Sequence, residues 1–368
     1  MTKQTDLYYV HLFNDFSGSP RVLRDAIESS IVPSENTYVF TSSHKGFLDG
    51  IDGNRISCFY ARSSNRYIQL FYYLLSQALL SIQLFCYLLV SRLKNRRVTV
   101  VVNTMLPFGA LVVAKLIRAN VVSYVHETHI QPLLLKRFLR FFIEHCSDHV
   151  IFVSKYLQSV EPFIKPFQSV IYNGLRSDFP QIEEVDVSFK FSRKKLLFAG
   201  SLKEYKGINQ LIELSVSLPE FSFIAALNCT DIELNNFIKE KSLPKNIEFI
   251  ARPDNIYRHF EESFAVLNLS LPEGWVETFG LSLIEGMAYG SPVVAPPIGG
   301  PTEFVTPNNG LLVDAREVEE ITNFLRYLNS SQDIWTSYSR EAFLASKIFT
   351  NECFRENFKF YFKSNSLD

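Results

Sequence analysis

Trp275-Val-Glu-Thr-Phe-Gly-Leu-Ser-Leu-Ile-Glu-Gly-Met-Ala-Tyr-Gly-Ser-Pro-Val-Val-Ala295 is the stretch on which the fold of this chain turns. Its two carboxylates, Glu277 and Glu285, stand with seven residues between them. A turn at Gly280 leads into a short apolar helix. Ser282 or Thr278 is placed to cap that helix, Gly290 to end it in a left-handed conformation, and Pro292–Ala295 reads as a buried strand. A loop of backbone N–H groups at a helix start is a place to hold a phosphate. One carboxylate just before that loop and one inside the helix are placed to hold sugar hydroxyls on either side of it.

Outward from this stretch the C-terminal half alternates. Apolar runs at Lys195–Ala199, Ser222–Leu227, Ile247–Ile250, Phe264–Leu269 and Gly310–Val313 read as strands. Helices fit between them at Ile208–Ser217, Asp231–Lys241, Asn255–Glu261 and Leu281–Tyr289, and such alternation argues a parallel sheet covered on both faces. Ser331–Lys347 and Asn351–Lys363 read as further helices. The aromatic residues of the second (Phe354, Phe358, Tyr361, Phe362) suit docking on another surface.

The N-terminal half repeats the pattern. Leu7–Phe13 is a strand, and Gly18 lies in the loop that follows, where a ligand can approach the backbone closely. Ser19 as N-cap and Pro20 at the first helical position start a helix from Arg21 to about Ser30. Strands follow at Thr37–Thr41, Ile56–Tyr60, Val98–Asn103, Val121–Val125, His149–Val153 and Ser169–Tyr172. The polar and irregular stretch Leu175–Lys195 reads as the interdomain linker.

Tyr67–Val90 is the most apolar segment and long enough for a membrane span. Gln69, Tyr73, Ser76, Gln83 and Tyr87 nevertheless share one helical face, and Arg92, Lys94, Arg96 and Arg97 follow. That pattern suits a buried domain helix with a basic end that touches the inner leaflet of a membrane. A true span would cut the alternation in two.

Charge is distributed unevenly. Residues 1–180 carry 19 Lys and Arg against 12 Asp and Glu, and the remainder 18 against 26. The basic half either meets something anionic, a membrane surface or a phosphorylated acceptor, or complements the acidic half. Apolar residues at 47% against 20% charged exclude a disordered chain. No nucleic-acid partner is expected. Five scattered cysteines without a CxxC pair, and a start at Met1-Thr-Lys that leaves no room for a signal peptide, lead to the expectation of a cytoplasmic protein with reduced thiols.

Two constellations carry chemistry. His126 and Glu127 stand at the carboxyl end of a strand, the edge at which open α/β sheets bind ligands. His126 with His129 and Glu127 is not HExxH, so a metal site is not expected there; a core histidine is the alternative. In the second half, Gly200-Ser-Leu-Lys-Glu-Tyr-Lys-Gly207 follows a strand, with Lys206 ahead of a helix start where it can neutralise a diphosphate. The loop Ala251-Arg-Pro-Asp254 offers backbone groups to a base edge.

With these residues in view the sequence resembles the retaining glycosyltransferases of family 4. The motifs that carry the resemblance are Gly-Ser-Leu…Lys-Gly, Glu-x7-Glu, Gly-Ser-Pro-Val-Val-Ala, Gly299-Gly-Pro-Thr-Glu303 and Asn309-Gly-Leu-Leu-Val313. The match is looser over residues 1–175, at the Gly18 loop, His126-Glu127, Val153-Ser-Lys155 and Tyr172-Asn-Gly174. The resemblance implies an α/β GT-B fold, two Rossmann-like doubly wound domains facing each other across a cleft. An acceptor domain would span 1–178 with a C-terminal helix about 350–368, and a donor domain 190–349.

It further implies that Glu285 holds the ribose of a nucleotide-diphosphate sugar. Glu277 and the N–H groups around Thr278, Phe279, Gly280 and Leu281 would hold the sugar and β-phosphate. Lys206 would neutralise the diphosphate and act with His126 and Glu277 in catalysis, with Gly18 approaching from the other domain. Ala251 and Arg252 would border the base. Members of the family carry Arg where this chain has Ser201; its loss removes a contact of about 1.5–3 kcal/mol unless Lys203 reaches back. Transfer would retain configuration, need no cofactor or metal, and move a hexose to a glycan or polyprenyl-linked acceptor. A sugar-nucleotide epimerase and a catalytically weak sugar-nucleotide-binding partner protein are the alternatives.

Overall fold

The structure, a computed structural model, describes residues 4–239 and 241–367. The chain start at Met1-Thr-Lys, Glu240 within the helix expected over Asp231–Lys241, and the final Asp368 lie outside the described residues. The chain divides into two units, residues 1–174 with 351–368, and residues 175–350.

In the first unit β1 (Thr5–Val10), α1 (Gly18–Glu28), β2 (Thr37–Ser42) and β3 (Asn54–Cys58) are followed by α2 (Arg66–Leu93), β4 (Arg97–Asn103), α3 (Phe108–Leu116) and β5 (Asn120–Val125). Then come α4 (Leu133–Cys146), β6 (His149–Phe152), α5 (Lys155–Val160) and β7 (Phe167–Val170). The sheet runs β3-β2-β1-β4-β5-β6-β7, all parallel. Winding reverses between β1 and β4, where Val10 pairs with Val102. A reversal of this kind opens a crevice at the strand carboxyl ends, here beside His11 and Asn103.

The second unit contains α6 (Val187–Arg193), β8 (Lys195–Gly200), α7 (Ile208–Ser217), β9 (Ser222–Leu227), α8 (Asp231–Lys239), β10 (Ile247–Ala251) and α9 (Ile256–Glu261). It continues with β11 (Ala265–Leu267), α10 (Leu281–Ala288), β12 (Val293–Ala295), β13 (Gly310–Leu312), α11 (Val318–Asn329) and α12 (Gln332–Ser346). Its parallel sheet runs β10-β9-β8-β11-β12-β13 and reverses between β8 and β11. Trp335, on α12, is fully buried and donates its indole N–H to the Phe264 carbonyl at 3.0 Å. The last helix, α13 (Asn351–Ser364), belongs to the first unit, with Phe354, Phe358, Tyr361 and Phe362 buried and the Tyr361 hydroxyl 3.2 Å from His149 Nδ1.

Three local expectations are corrected. α1 begins at Gly18 with Ser17 as N-cap, not Ser19, so Pro20 is its third residue. The first turn of a helix has no intrahelical acceptors for its N–H groups, which is why proline is tolerated there. The stretch 175–195 is not all irregular: α6 forms because the Asp186 side chain accepts the Phe189 N–H and buried Lys190 donates to the carbonyls of Phe260 and Glu261.

The third correction concerns α2, which is not a buried helix. Its polar residues face the protein: Tyr73 donates to the Leu106 carbonyl, Gln77 Oε1 accepts the Gly109 N–H and Ser91 bonds Asp6. Much of its apolar surface is exposed, Phe71 at 61% and Ile82 at 64%.

Candidate active site

At the reversal point of the second sheet, the loop after β8 and the loop after β11 lock together. Gly207 has φ +82°, and a Cβ there would stand 2.1 Å from the Leu269 carbonyl oxygen, so only glycine permits this approach. Leu271 N–H donates to the Tyr205 carbonyl, and the rings of Tyr205 and Trp275 stack 6.0 Å apart. The lock brings Lys206 Nζ to 3.0 Å from Glu277 Oε2 and 5.1 Å from the centre of the Trp275 ring. Asn268 Nδ2 donates to the same carboxylate oxygen at 3.1 Å. Burial pushes the Glu277 carboxyl up, but the Lys206 charge and the hydrogen bonds from Lys206 and Asn268 outweigh it and leave the group below its ordinary value.

The backbone of Glu277 is fixed from behind. Gly300 N–H donates to the Glu277 carbonyl at 2.8 Å, and a Cβ on Gly299 would meet that carbonyl oxygen at 2.2 Å. The glycine pair is what lets two backbones touch here. Thr278 and Phe279 are buried, and Gly280 (φ +104°) is the N-cap of α10. Neither Ser282 nor Thr278 caps the helix: no side chain does. The N–H groups of Leu283 and Ile284 turn back to the Gly280 carbonyl, while those of Leu281 and Ser282 have no acceptor among the described residues. Such a helix start carries partial positive charge suited to an anion. Gly290, at φ +70°, ends the helix.

Glu285 is buried in α10 and is not part of the Lys206 pair. The guanidinium of Arg176 stands 3.8 Å from its Oε1, 3.7 Å from Asp178 and 4.6 Å from the Tyr257 ring centre. The two carboxylates of the motif therefore occupy separate charge environments, one lysine-paired and one arginine-paired. Arg176 stands in the stretch that reads as linker, and Asn268 lies in no motif; both escape the sequence reading.

The remaining second-unit candidates are spread more widely. Lys203 N–H donates to the Ser201 carbonyl, and the Lys203 charge helps hold Glu233 below its ordinary value, after the hydrogen bonds Glu233 accepts from Thr230. Lys206 N–H donates to the Lys203 carbonyl at 3.0 Å, but among the described residues no hydrogen bond or ion pair joins the Lys203 ammonium to Lys206 or Glu277. Arg252, at φ +41°, donates to Asn228 Oδ1 at 3.0 Å, and with Ala251 it lines an open groove of about 720 Å³ along β10. Lys206 and Glu277 lie outside that groove.

In the first unit His126 Nε2 lies 2.7 Å from Asn103 Oδ1, and Asn103 Nδ2 lies 3.1 Å from the Ser19 carbonyl and 3.0 Å from His11 Nδ1. Burial, with His11 beside it, holds the His126 imidazole down to about 3; burial holds His11 to about 4. Glu127 accepts the N–H groups of Met105 (2.8 Å) and His126 (3.2 Å), yet burial dominates and pushes its carboxyl up to about 7. Gly18 is exposed at the start of α1. No cluster of His, Cys, Asp and Glu able to hold a metal occurs among the described residues.

The arrangement, two doubly wound α/β units with an uncapped helix start beside a lysine–carboxylate pair, is that of the GT-B class. HepE from Anabaena, solved with UDP and glucose, matches 99% of this chain and 100% of its own with a TM-score of 0.78 at 18% identity. Residues 181–342, within the second unit, match the family model described as "Glycosyl transferases group 1". Among curated relatives, an uncharacterized glycosyltransferase of Methanocaldococcus jannaschii is 27% identical over 236 residues, 61% of this chain and 63% of the relative. Sucrose-phosphate synthase 4 of Arabidopsis thaliana is 36% identical over 121 residues, 32% of this chain and 11% of the relative. The chain thus spans less than two thirds of the length of these relatives.

Proposed function

We infer that this chain is a retaining, metal-independent glycosyltransferase. It moves a hexose from a nucleotide-diphosphate sugar to a glycan or polyprenyl-linked glycan acceptor, in the cytoplasm at the inner face of the plasma membrane, during surface-polysaccharide assembly. The observation that carries this reading is the Lys206–Glu277 pair beside the uncapped start of α10. A cation and outward N–H groups side by side suit a diphosphate and stabilise the charge it gains on leaving.

In this reading the second unit holds the donor, with Lys206 and the Leu281 and Ser282 N–H groups on the diphosphate and Glu277 on the sugar. Glu285 meets the ribose, its carboxylate oriented by Arg176. The departing diphosphate takes the acceptor hydroxyl's proton on the face of attack, so no carboxylate nucleophile is required and the protein chiefly positions and stabilises. The first unit holds the acceptor, and His126, kept neutral by burial, accepts a hydrogen bond from a hydroxyl. The UDP and glucose bound by HepE make UDP-glucose the first donor to try.

Donor hydrolysis is the test. Incubation with UDP-glucose and other candidate donors in the presence of EDTA should release nucleoside diphosphate slowly, and faster once an acceptor is supplied. Release of a free epimer without acceptor would make the chain an epimerase. No turnover of any bound donor would make it a binding partner.

A further inference from the structure

Helix α2 is apolar on two sides: Leu80, Leu84 and Leu88 are buried in the first unit, and a second apolar stripe faces outward. In a soluble protein the apolar stripe of a surface helix faces the core and the polar one faces water. Here polar groups lie on the protein side as well: Tyr73 donates to the Leu106 carbonyl, Gln77 accepts the Gly109 N–H, Gln83 donates to the Ser57 carbonyl, and the Tyr87 ring packs edge-on against Tyr38 and Phe40. The outward stripe is Tyr67, Phe71, Leu74, Ala78, Ile82, Phe85 and Leu89, recurring at three- and four-residue spacing and exposed throughout. Between Tyr67 and Ser91 the helix contains no charged residue.

On its protein side α2 packs through α3 against α4, a second helix with exposed apolar residues. The ring of Tyr73 on α2 lies 6.1 Å from Phe108 of α3, and Phe108 lies 4.9 Å from Phe138 of α4. Leu134, Phe138 and Phe141 of α4 are exposed in turn. Basic residues edge the surface: Arg66 at one end of α2, Lys94 just past the other, Arg118 just past α3 and Arg137 on α4, all exposed. Glu144 is the one acidic residue on α2, α3 and α4, and its carboxylate is held by the backbone N–H groups of Ile164 and Lys165. An apolar face of this extent with a basic rim and almost no acid complements an anionic lipid surface.

We propose that the outward face of α2, with the exposed apolar residues of α4, lies in the interfacial layer of an anionic bilayer as a peripheral docking surface. α2 is long and apolar enough to cross a membrane by length and composition alone. The hydrogen bonds that tie it to the Asp6, Ser57, Leu106 and Gly109 positions make it a fixed wall of the first unit instead. The proposal deepens the functional reading by naming the surface that meets the membrane, and it rests on that reading only for the benefit of docking there.

The test is co-sedimentation of the full chain with vesicles of phosphatidylcholine alone and of phosphatidylcholine with phosphatidylglycerol at about equal parts. Partitioning should be at least about ten-fold greater with the anionic vesicles and weaken as salt is raised. The double variant Phe71→Glu/Ile82→Glu alters exposed side chains only; it should lose at least about ten-fold in partitioning and keep the wild-type melting temperature. Arg66→Glu/Lys94→Glu should lose the preference for anionic lipid.

No partitioning of the wild type, or equal partitioning of the apolar-face variant, overturns the proposal. So does a concentration-dependent dimer that this variant dissolves, since the face would then belong to a second copy. Calorimetry with UDP, GDP, dTDP and ADP run alongside keeps the two questions apart: failure of all four to bind would sink the glycosyltransferase reading and leave the vesicle result standing.

Discussion

His126 donates its Nε2–H to Asn103 Oδ1 at 2.7 Å, and the direction of that bond is set by a backbone carbonyl. The Ser19 oxygen, 3.1 Å from Asn103 Nδ2, can only accept, so the amide must present its nitrogen there and its oxygen to His126. His126 is thereby fixed with its proton on Nε2, and Nδ1 is an acceptor. Nitrogen-15 NMR of the histidine rings should show this neutral tautomer from pH 8 down to about 4, because burial and His11 hold the imidazole to about 3. Asn103→Asp replaces the amide by a carboxylate facing two histidines. It should bring a protonated His126 signal into the neutral range and shift the pH profile of transfer. An unchanged tautomer and profile would remove Asn103 from the account.

Linkage gives the two histidines a stability signature. Their folded values lie below the ordinary 6.5, so the unfolded chain binds protons that the folded chain does not. Their contribution is present above about 6.5 and is lost as pH falls toward about 4 and 3. Glu127 acts in the opposite sense. Its folded value of about 7 lies above the ordinary 4.5, so its contribution is present below 4.5 and is lost as pH rises through about 7. The amide signals of Met105 and His126, both held by this carboxylate, should titrate together with a midpoint of about 7. Amide shifts that stay flat from pH 5 to 9 would contradict the assignment.

Lys206→Met tests the ion pair apart from any ligand. In the wild type Glu277 sits below 4.5, so its contribution is present above 4.5 and is lost as pH falls through the folded value. Without Lys206, burial prevails and the sign reverses: stability falls as pH rises above 4.5. The cost near neutral pH should be about 1–3 kcal/mol, read from urea midpoints across the pH range. A variant as stable as wild type at pH 7 would show that the pair contributes nothing measurable.

Gly299→Ala should be costly for a backbone reason. The residue sits at φ +104° with the Glu277 carbonyl oxygen 2.2 Å from where a Cβ would stand. Relief requires the Glu277 backbone to move, at a cost of about 2–4 kcal/mol in unfolding experiments. Donor affinity should fall with it. Gly50→Ala, also at positive φ but with open space around it, is the control, and its cost should be confined to the strain of the dihedral.

Strand and helix periodicity made much of the frame legible. β9 over Ser222–Leu227 and α7 over Ile208–Ser217 are bounded as their apolar patterns indicate, since β9 buries an unbroken run on both faces and α7 buries one clear stripe. α11 carries such a stripe too, Ile321, Leu325 and Leu328, which the sequence reading leaves unassigned. What periodicity does not carry is the choice of partner. The pairing of Glu285 with Arg176 spans more than a hundred positions and depends on how a segment without pattern folds back. α2 shows the same limit: its apolar residues run round most of the helix, and which of them are buried, Leu80, Leu84 and Leu88, follows from tertiary packing and not from the pattern.

Calorimetry with UDP, GDP, dTDP and ADP tests the proposal that Lys206 and Glu277 belong to a site for a nucleoside diphosphate sugar. One of the four should bind the wild type, and Lys206→Ala should weaken that binding by about ten- to a hundred-fold, the loss of one charge-assisted contact. Failure of all four to bind, or an unchanged affinity in Lys206→Ala, would contradict it.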